Sequence, residues 1–252
     1  MRLAVVVVGS LLFVTVLHAE TASLKMRFVY DGAPPAPEQI NVPLAMRPAG
    51  AAILNERLLV DPQSRGIRNI VVYVDTGRGR SKLDLPPYDG VKRQMSTANS
   101  RFEPHILLAR AGDTLELSNR GLNSHNIAIA FFNNPARAFT LPPGKQHTIP
   151  LARPEPALMP VDCNNYPWMK AFLVILDHSF AAISDKDGAI VIGDLPANTH
   201  LTFKIYHEAG IINNVKINDS PTAWDRSRFE LDLSSGVNDI GDILVPADAF
   251  LY

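Results

Sequence analysis

The chain has 252 residues, of which 46% are hydrophobic and 19% charged, and its formal net charge is −1. This balance is typical of a folded globular protein and argues against a disordered chain. It shows no basic excess of the kind that nucleic-acid binding requires, so no nucleic-acid partner is expected. Twenty prolines and fifteen glycines predict many turns and short elements.

Residues 1–19 have the pattern of a secretory signal peptide. Arg2 supplies the positive start, residues 3–17 form an apolar run, and Ala19 provides a small residue at the cleavage point. An uncleaved membrane anchor is the alternative, although the run is short for a spanning helix. No cysteine directly follows the run, so a lipoprotein is not indicated. We therefore expect a periplasmic or secreted protein that has no membrane contact after cleavage.

The remaining sequence predicts strands and turns in chain order. The predicted strands are 24–30, 70–74, 105–109, 114–119, 125–131, 172–176 and 201–207. The segment 182–192 predicts a hairpin that turns at Asp187-Gly188, and 70–74 is a continuous apolar run typical of a buried strand. Many short strands with frequent turns predict an all-β sandwich.

Cys163 is the only cysteine of the chain. Exported proteins usually pair their cysteines, so a lone thiol is expected to be buried, metal-bound or paired with another molecule. Met169 follows six residues later, and His125 precedes both on an earlier predicted strand. A thiolate, imidazoles and a weak axial thioether are the ligands of type 1 copper. Each residue alone also fits an ordinary core position, since buried cysteine packs as a small apolar side chain.

A series of short motifs gives the sequence a family resemblance. The motifs are Phe102-Glu103-Pro104-His105, Ala111-Gly112-Asp113, Ser118-Asn119, His125-Asn126, Pro143-Gly144, Cys163 with Pro167-Trp168-Met169, Asp177-His178, Asp185 with Asp187-Gly188, Leu195-Pro196, and His207-Glu208. At these residues the chain resembles the cupredoxins, the blue copper family of plastocyanin and azurin, and especially exported bacterial plastocyanin-like proteins labelled methylamine-utilisation proteins.

The resemblance implies a cupredoxin-like Greek-key β-sandwich that binds one copper ion and transfers electrons to a redox partner protein. His125, Cys163 and Met169 would be the copper ligands. We expect an N-terminal β region at 20–95, the cupredoxin-like domain at 96–180, and a transthyretin-like β region at 181–252.

The sequence departs from the family at Tyr166, where a second histidine ligand is usual. A phenol must lose its proton to bind a metal well, and phenolate favours copper(II) or iron(III). If Tyr166 points away, His125, Cys163 and Met169 form a soft set that suits copper(I). His105 is the first choice for a substitute ligand, because its strand is expected near that of His125.

Three functions remain open on the sequence alone. The first is an exported copper protein that transfers electrons, and the second is a metal-free β-sandwich with a binding or scaffolding role. The third is a copper or iron enzyme that takes a small ligand such as oxygen. No hydrolase, phosphate-loop or paired-carboxylate motif is present, so an electron carrier or binding protein is favoured over an enzyme.

Overall fold

The computed structural model describes residues 20–42 and 53–250. The predicted signal peptide therefore lies outside the described residues. The strands of the first half are β1 (Thr21–Asp31), β2 (Val71–Val74), β3 (Lys92–Ala98), β4 (Arg101–Glu103), β5 (Ile106–Arg110), β6 (Thr114–Asn119), β7 (His125–Ile129), β8 (Arg137–Leu141) and β9 (Gln146–Pro150). Those of the second half are β10 (Met159–Cys163), β11 (Lys170–Leu176), β12 (Ala181–Ile183), β13 (Ala189–Pro196), β14 (Thr199–Tyr206), β15 (Asn214–Ile217), β16 (Ser220–Ala223), β17 (Arg228–Leu233) and β18 (Gly236–Pro246).

These strands form four sheets across the described ranges. Two have the strand orders β13-β1-β18-β15-β16 and β12-β2-β14-β17. They enclose one apolar core, which contains Phe28, Phe203 and Ile243, and we call this pair the first sandwich. The other two have the orders β5-β11-β10-β7-β8 and β4-β3-β6-β9. They enclose a second core around Leu117 and Leu173, and we call them the second sandwich. The expectation of an all-β sandwich is confirmed.

A third apolar layer joins the two sandwiches. Strand β11 alternates between layers, with Leu173 in the core of the second sandwich and Val174 in the joining layer. Strand β2 does the same from the other side, since Val72 faces the first core and Val71 the joining layer. A strand buried on both faces needs apolar residues at consecutive positions. The joining layer is therefore the physical reason why these two runs show no polar alternation.

The first sandwich is built from two separated parts of the chain. β1 pairs antiparallel with β13 and parallel with β18, so that Phe28 lies opposite Ile243. All strands of the second sandwich, β3 to β11, come between β2 and β12 in sequence. The strands of the expected 20–95 region thus contribute to both sandwiches, and the expected border between residues 95 and 96 falls inside β3.

The predicted hairpin over 182–192 is wrong. β12 pairs with β2, whereas β13 pairs with β1, so the two strands belong to opposite sheets of the first sandwich. A tight turn is present, with the Gly188 N–H donating to the Asp185 carbonyl at 3.1 Å. Gly188 has a φ of +79° and packs directly on the backbone of Phe28, where a side chain would collide with the Phe28 carbonyl. The turn therefore carries the chain across the sandwich instead of folding it back within one sheet.

The described part of the chain ends in a short 3-10 helix at Ala247–Phe250. Within the described ranges, no helix has both the length and the apolar character that crossing a bilayer would need.

Candidate metal centre

The fold brings His125 and Cys163 together at one end of a sheet. His125 opens β7 and Cys163 closes β10, and these strands are antiparallel neighbours with Cys163 opposite Ile127. Residues two apart on a strand share a face, so both side chains point towards the core of the second sandwich. The Cys163 Sγ lies 3.6 Å from the His125 Nδ1. Their exposed fractions are only 2% and 4%.

Burial affects the protonation of His125. Desolvation lowers the pKa of His125 below its ordinary value, because the charged imidazolium would have to be held away from water. The imidazole is therefore neutral at neutral pH. A neutral imidazole next to a thiol offers one nitrogen and one sulfur donor in a dry pocket, a combination that soft transition metals prefer.

The loop between β10 and β11 is closed by its own backbone. The Tyr166 N–H donates to the Cys163 carbonyl at 3.2 Å, and the Met169 N–H donates to the Tyr166 carbonyl at 2.8 Å. The Cys163 N–H in turn donates to the Met169 carbonyl at 3.3 Å. These bonds hold the start and the end of the loop together, as convergence of donors from one short loop requires.

Met169 and Tyr166 complete the surroundings of the thiol. The Met169 side chain is 1% exposed and packs in the same apolar cluster as Cys163. The Tyr166 ring packs against this cluster and lies edge-on to the His125 ring, with centroids 5.2 Å apart. Tyr166 thus places an aromatic ring beside the imidazole, at the position where the resemblance implied a second nitrogen ligand.

A buried asparagine, Asn119, fixes the loop that directly precedes His125. The Asn119 amide donates to the carbonyls of Asn123 and Leu141, both at 2.8 Å. Its oxygen accepts from the Thr97 hydroxyl at 3.0 Å and from the Gly121 N–H at 2.9 Å. One side chain therefore binds four partners around the turn that precedes His125. The sequence showed this residue only as part of the Ser118-Asn119 motif, and its role was not predicted.

A pair of asparagines, Asn126 and Asn164, links the two strands that carry the donors. The Asn164 N–H donates to the Asn126 carbonyl at 2.8 Å, and the Asn164 amide donates to the Asn126 side-chain oxygen at 2.9 Å. Each of these residues directly follows a candidate donor in sequence. The pair thus ties the loop of Cys163 to the strand of His125.

His105 lies elsewhere. In the sheet order, β11 and β10 stand between β5 and β7, so the strand that follows His105 does not pair with that of His125. The His105 Nε2 is hydrogen-bonded to Glu208, and its Nδ1 is 3.6 Å from Glu56. Two strands separate β5 from the strand of His125, because the parallel pairing of β5 with β11 places β5 at the sheet edge.

The other histidines near strand ends have structural partners. The His178 Nε2 bonds the Val74 carbonyl at 2.8 Å, and its Nδ1 accepts from the Phe180 N–H at 3.0 Å. His207 is bonded in the same way, by the Arg68 carbonyl at 3.3 Å and the Ala209 N–H at 3.2 Å. Among the residues that the structure describes, no three histidine, cysteine, aspartate or glutamate side chains are grouped to hold a metal ion. The candidate centre therefore consists of His125 and Cys163, which are in contact, with Met169 in the same apolar cluster as Cys163.

Comparison with known proteins gives partial similarities only. A copper-containing nitrite reductase from Thermus scotoductus SA-01 is 18% identical over 41% of this chain. The matched part covers 25% of the reductase, and the TM-score is 0.30. A purple cupredoxin from Nitrosopumilus maritimus is 17% identical over 32% of this chain and 97% of its own, with a TM-score of 0.28. A reduced mutant of amicyanin is 18% identical over 35% of this chain and 85% of its own, with a TM-score of 0.30. No protein-family model and no curated protein matches the chain.

Proposed function

We propose that this protein is an exported copper-binding electron carrier whose metal is held by Cys163 and His125, with the Met169 sulfur as the third donor. The observation that carries the proposal is the approach of the Cys163 Sγ to the His125 Nδ1, 3.6 Å apart in a buried apolar pocket. A bound copper ion would supply one-electron redox chemistry there.

The donor set favours the reduced ion. One thiolate, one neutral imidazole and one thioether are soft donors, and copper(I) prefers such ligands. Tyr166 contributes an aromatic edge against His125 instead of a second imidazole. We therefore expect tighter binding of copper(I) than of copper(II).

The protein itself has three tasks in this proposal. The strand pairing of β7 with β10 orients the imidazole and the thiol towards each other. The Asn119 hydrogen bonds fix the backbone before His125. Tyr166 and Met169 keep water from the thiol, because both pack in the surrounding apolar cluster. A rigid, dry site of this kind keeps the donors in one geometry, which electron transfer requires.

Titration of the mature protein with copper(I) in competition with a chromogenic chelator tests the proposal. We expect one equivalent to be retained by the native protein and none by Cys163→Ser, because a hydroxyl is a poor ligand for copper(I). Met26→Leu is the control for removing a buried sulfur elsewhere, since Met26 is as buried as Cys163 but belongs to the first sandwich. If the native protein and Cys163→Ser bind copper(I) equally, the assigned centre is wrong.

A metal-free binding or scaffolding protein is the second candidate function. One observation favours it: Cys163, Met169 and Tyr166 already form part of a continuous apolar core. In that case no copper is retained after desalting. The Cys163→Ser variant would then differ from the native protein in stability alone.

A further inference from the structure

A groove of about 670 Å³ opens between the two sandwiches, along the end of β14. The wall on the side of the second sandwich contains Leu158 and Phe172. The wall on the side of the first sandwich contains Lys204 and Tyr206 of β14, and Ile211 beyond the end of that strand. The volume falls in the range of small-molecule sites, and such sites occur preferentially between domains.

Strand register places two cations against each other at this groove. Lys204 on β14 lies directly opposite Arg228 on β17 in their antiparallel pairing. Opposed residues project from the same face of a sheet, and like charges in such a pair are destabilising. One carboxylate, Asp75, serves this pair, and it accepts from the Arg228 Nε and from the Gly77 N–H. The register therefore leaves one positive charge without a balancing acid.

The unbalanced charge is that of Lys204. Within residues 20–42 and 53–250 its ammonium forms no ion pair, and its contact is with the Tyr206 ring, whose centroid lies 5.7 Å from the Nζ. An aromatic face attracts a cation but leaves the three N–H groups of the ammonium without an acceptor. Burial and the Arg228 charge lower the pKa of Lys204, and Asp75 opposes them only in part. A bound anion would offset this cost of holding the charge.

The other charged residues of the groove do not supply the missing anion. Glu208 is the one acidic side chain among the described residues that line it, and it is hydrogen-bonded to His105. Arg57 already interacts within the protein. Arg226 is exposed on the rim and adds a further cation.

Apolar surface forms the rest of the groove. Leu158 and Phe172 belong to the layer that joins the two sandwiches, so this layer reaches the groove wall. Ile211 is 68% exposed at the rim, which is unusual for a large aliphatic side chain beside an apolar wall. A ligand that matches this surface has a hydrocarbon part as well as a negative charge, and an inorganic anion has none.

We propose that this groove binds an amphiphilic organic anion, a carboxylate carried on a hydrocarbon chain. The carboxylate would pair with the Lys204 ammonium, and the chain would lie against Phe172 and Ile211. The inference is independent of copper, because none of these side chains is a proposed donor to the metal.

Calorimetric titration of the metal-free protein with octanoate tests the class of ligand. We expect saturable binding of octanoate and none of octylammonium, which has the same chain and the opposite charge. Acetate should bind at least about tenfold more weakly than octanoate, since it has the same head but buries no chain.

Substitutions locate the binding. Lys204→Met keeps an unbranched side chain and removes the charge, so octanoate affinity should fall about tenfold. Lys145→Met is the matched control, because Lys145 is exposed on the turn before β9 of the second sandwich. Ile211→Ser should also weaken binding, and Val237→Ser is its control, since Val237 is 71% exposed on β18.

Urea unfolding without ligand separates a binding role of Lys204 from a structural one. The midpoint of Lys204→Met should equal or exceed that of the native protein, because the substitution relieves the repulsion between Lys204 and Arg228. A lysine that serves the fold would give a lower midpoint, and that result would overturn the argument from the like-charged pair.

Three binding results would also overturn the proposal. They are the absence of saturable octanoate binding, an equal affinity for octylammonium or acetate, and an equal loss of affinity in Lys204→Met and Lys145→Met. Because the protein is tested without metal, each of these results leaves the copper proposal unaffected.

Discussion

The Tyr166 ring lies edge-on to the His125 ring with centroids 5.2 Å apart, on the loop that begins at Cys163. An imidazole in place of this phenol would point its ring towards the same neighbour. This relationship makes position 166 the most informative place to alter the proposed centre.

Tyr166→His should convert the site into a strongly coloured copper(II) centre. A second imidazole adds a donor that stabilises the oxidised ion beside the thiolate. Visible absorption after addition of copper(II) should then show an intense thiolate-to-copper band that is weak or absent in the native protein. Tyr166→Phe serves as the control, because it keeps the ring and adds no donor. A copper-loaded Tyr166→His protein without the band would contradict the assignment of the loop.

Met169→Leu should separate metal binding from packing. The two side chains have similar volumes, so the free energy of unfolding should change by less than about 1.5 kcal/mol. Copper(I) affinity should fall, since leucine provides no sulfur. Urea unfolding and chelator competition measure the two effects. Unchanged copper(I) affinity would show that Met169 is a core residue only.

Asn119→Ala should weaken both the fold and the metal site. The substitution leaves the Leu141 and Asn123 carbonyls and the Gly121 N–H without their side-chain partner. We expect a loss of about 2–4 kcal/mol in the free energy of unfolding and a tenfold or greater loss of copper(I) affinity, on the order seen for residues that orient metal ligands.

Asn165→Ala is the matched control, because Asn165 on the loop between β10 and β11 is exposed and donates one long hydrogen bond, 3.4 Å, to the Ser124 carbonyl. It should change the free energy of unfolding by no more than about 0.5 kcal/mol. Equal effects of the two substitutions would refute the positioning role of Asn119.

The stability of the protein should fall as the pH is lowered from about 6.5 to 4. Burial lowers the pKa of His207 to about 4, and the nearby His105 and Arg57 charges act in the same direction. In the unfolded chain this histidine titrates near its ordinary value of about 6.5. Between these values the unfolded state binds the proton, so the stabilisation is complete above about pH 6.5 and is lost as the pH falls through 4. The shift corresponds to about 3 kcal/mol.

His207→Gln isolates this contribution. The variant should be less stable at pH 7 and should lose less stability on acidification, as measured by urea unfolding at several pH values. His200→Gln is the control. His200 is exposed and hydrogen bonds to Asp232 and Glu230 raise its pKa, so its removal should not reduce the loss of stability on acidification. If His207→Gln and the native protein depend equally on pH, the buried histidine is not the source.

The sequence predicted the strands best where local pattern decides them. The segment 114–119 matches β6 at both ends, because its alternation follows the two faces of a half-buried strand. The family resemblance named His125 and Cys163 as ligands of one ion, and the fold places the Cys163 Sγ 3.6 Å from the His125 Nδ1. Both results depend on short-range pattern and on motif order.

Long-range pairing could not be predicted from the sequence. The alternation of β12 and β13 fits a hairpin as well as it fits two opposite sheets, and their distant partners β2 and β1 decide between these arrangements. The place of His105 depends in the same way on the parallel pairing of β5 with β11. Asn119 was missed because a buried asparagine with four partners has no local signature.

The discontinuous first sandwich has a consequence for the order of folding. Phe28 on β1 pairs in register with Ile243 on β18, so this strand pair can form only after almost the whole chain has been made. The second sandwich is contiguous from β3 to β11 and has all its pairing partners much earlier. Contacts between distant residues form slowly, since a long loop must close first. The proposed copper-binding unit should therefore fold first and bring the two ends of the first sandwich together.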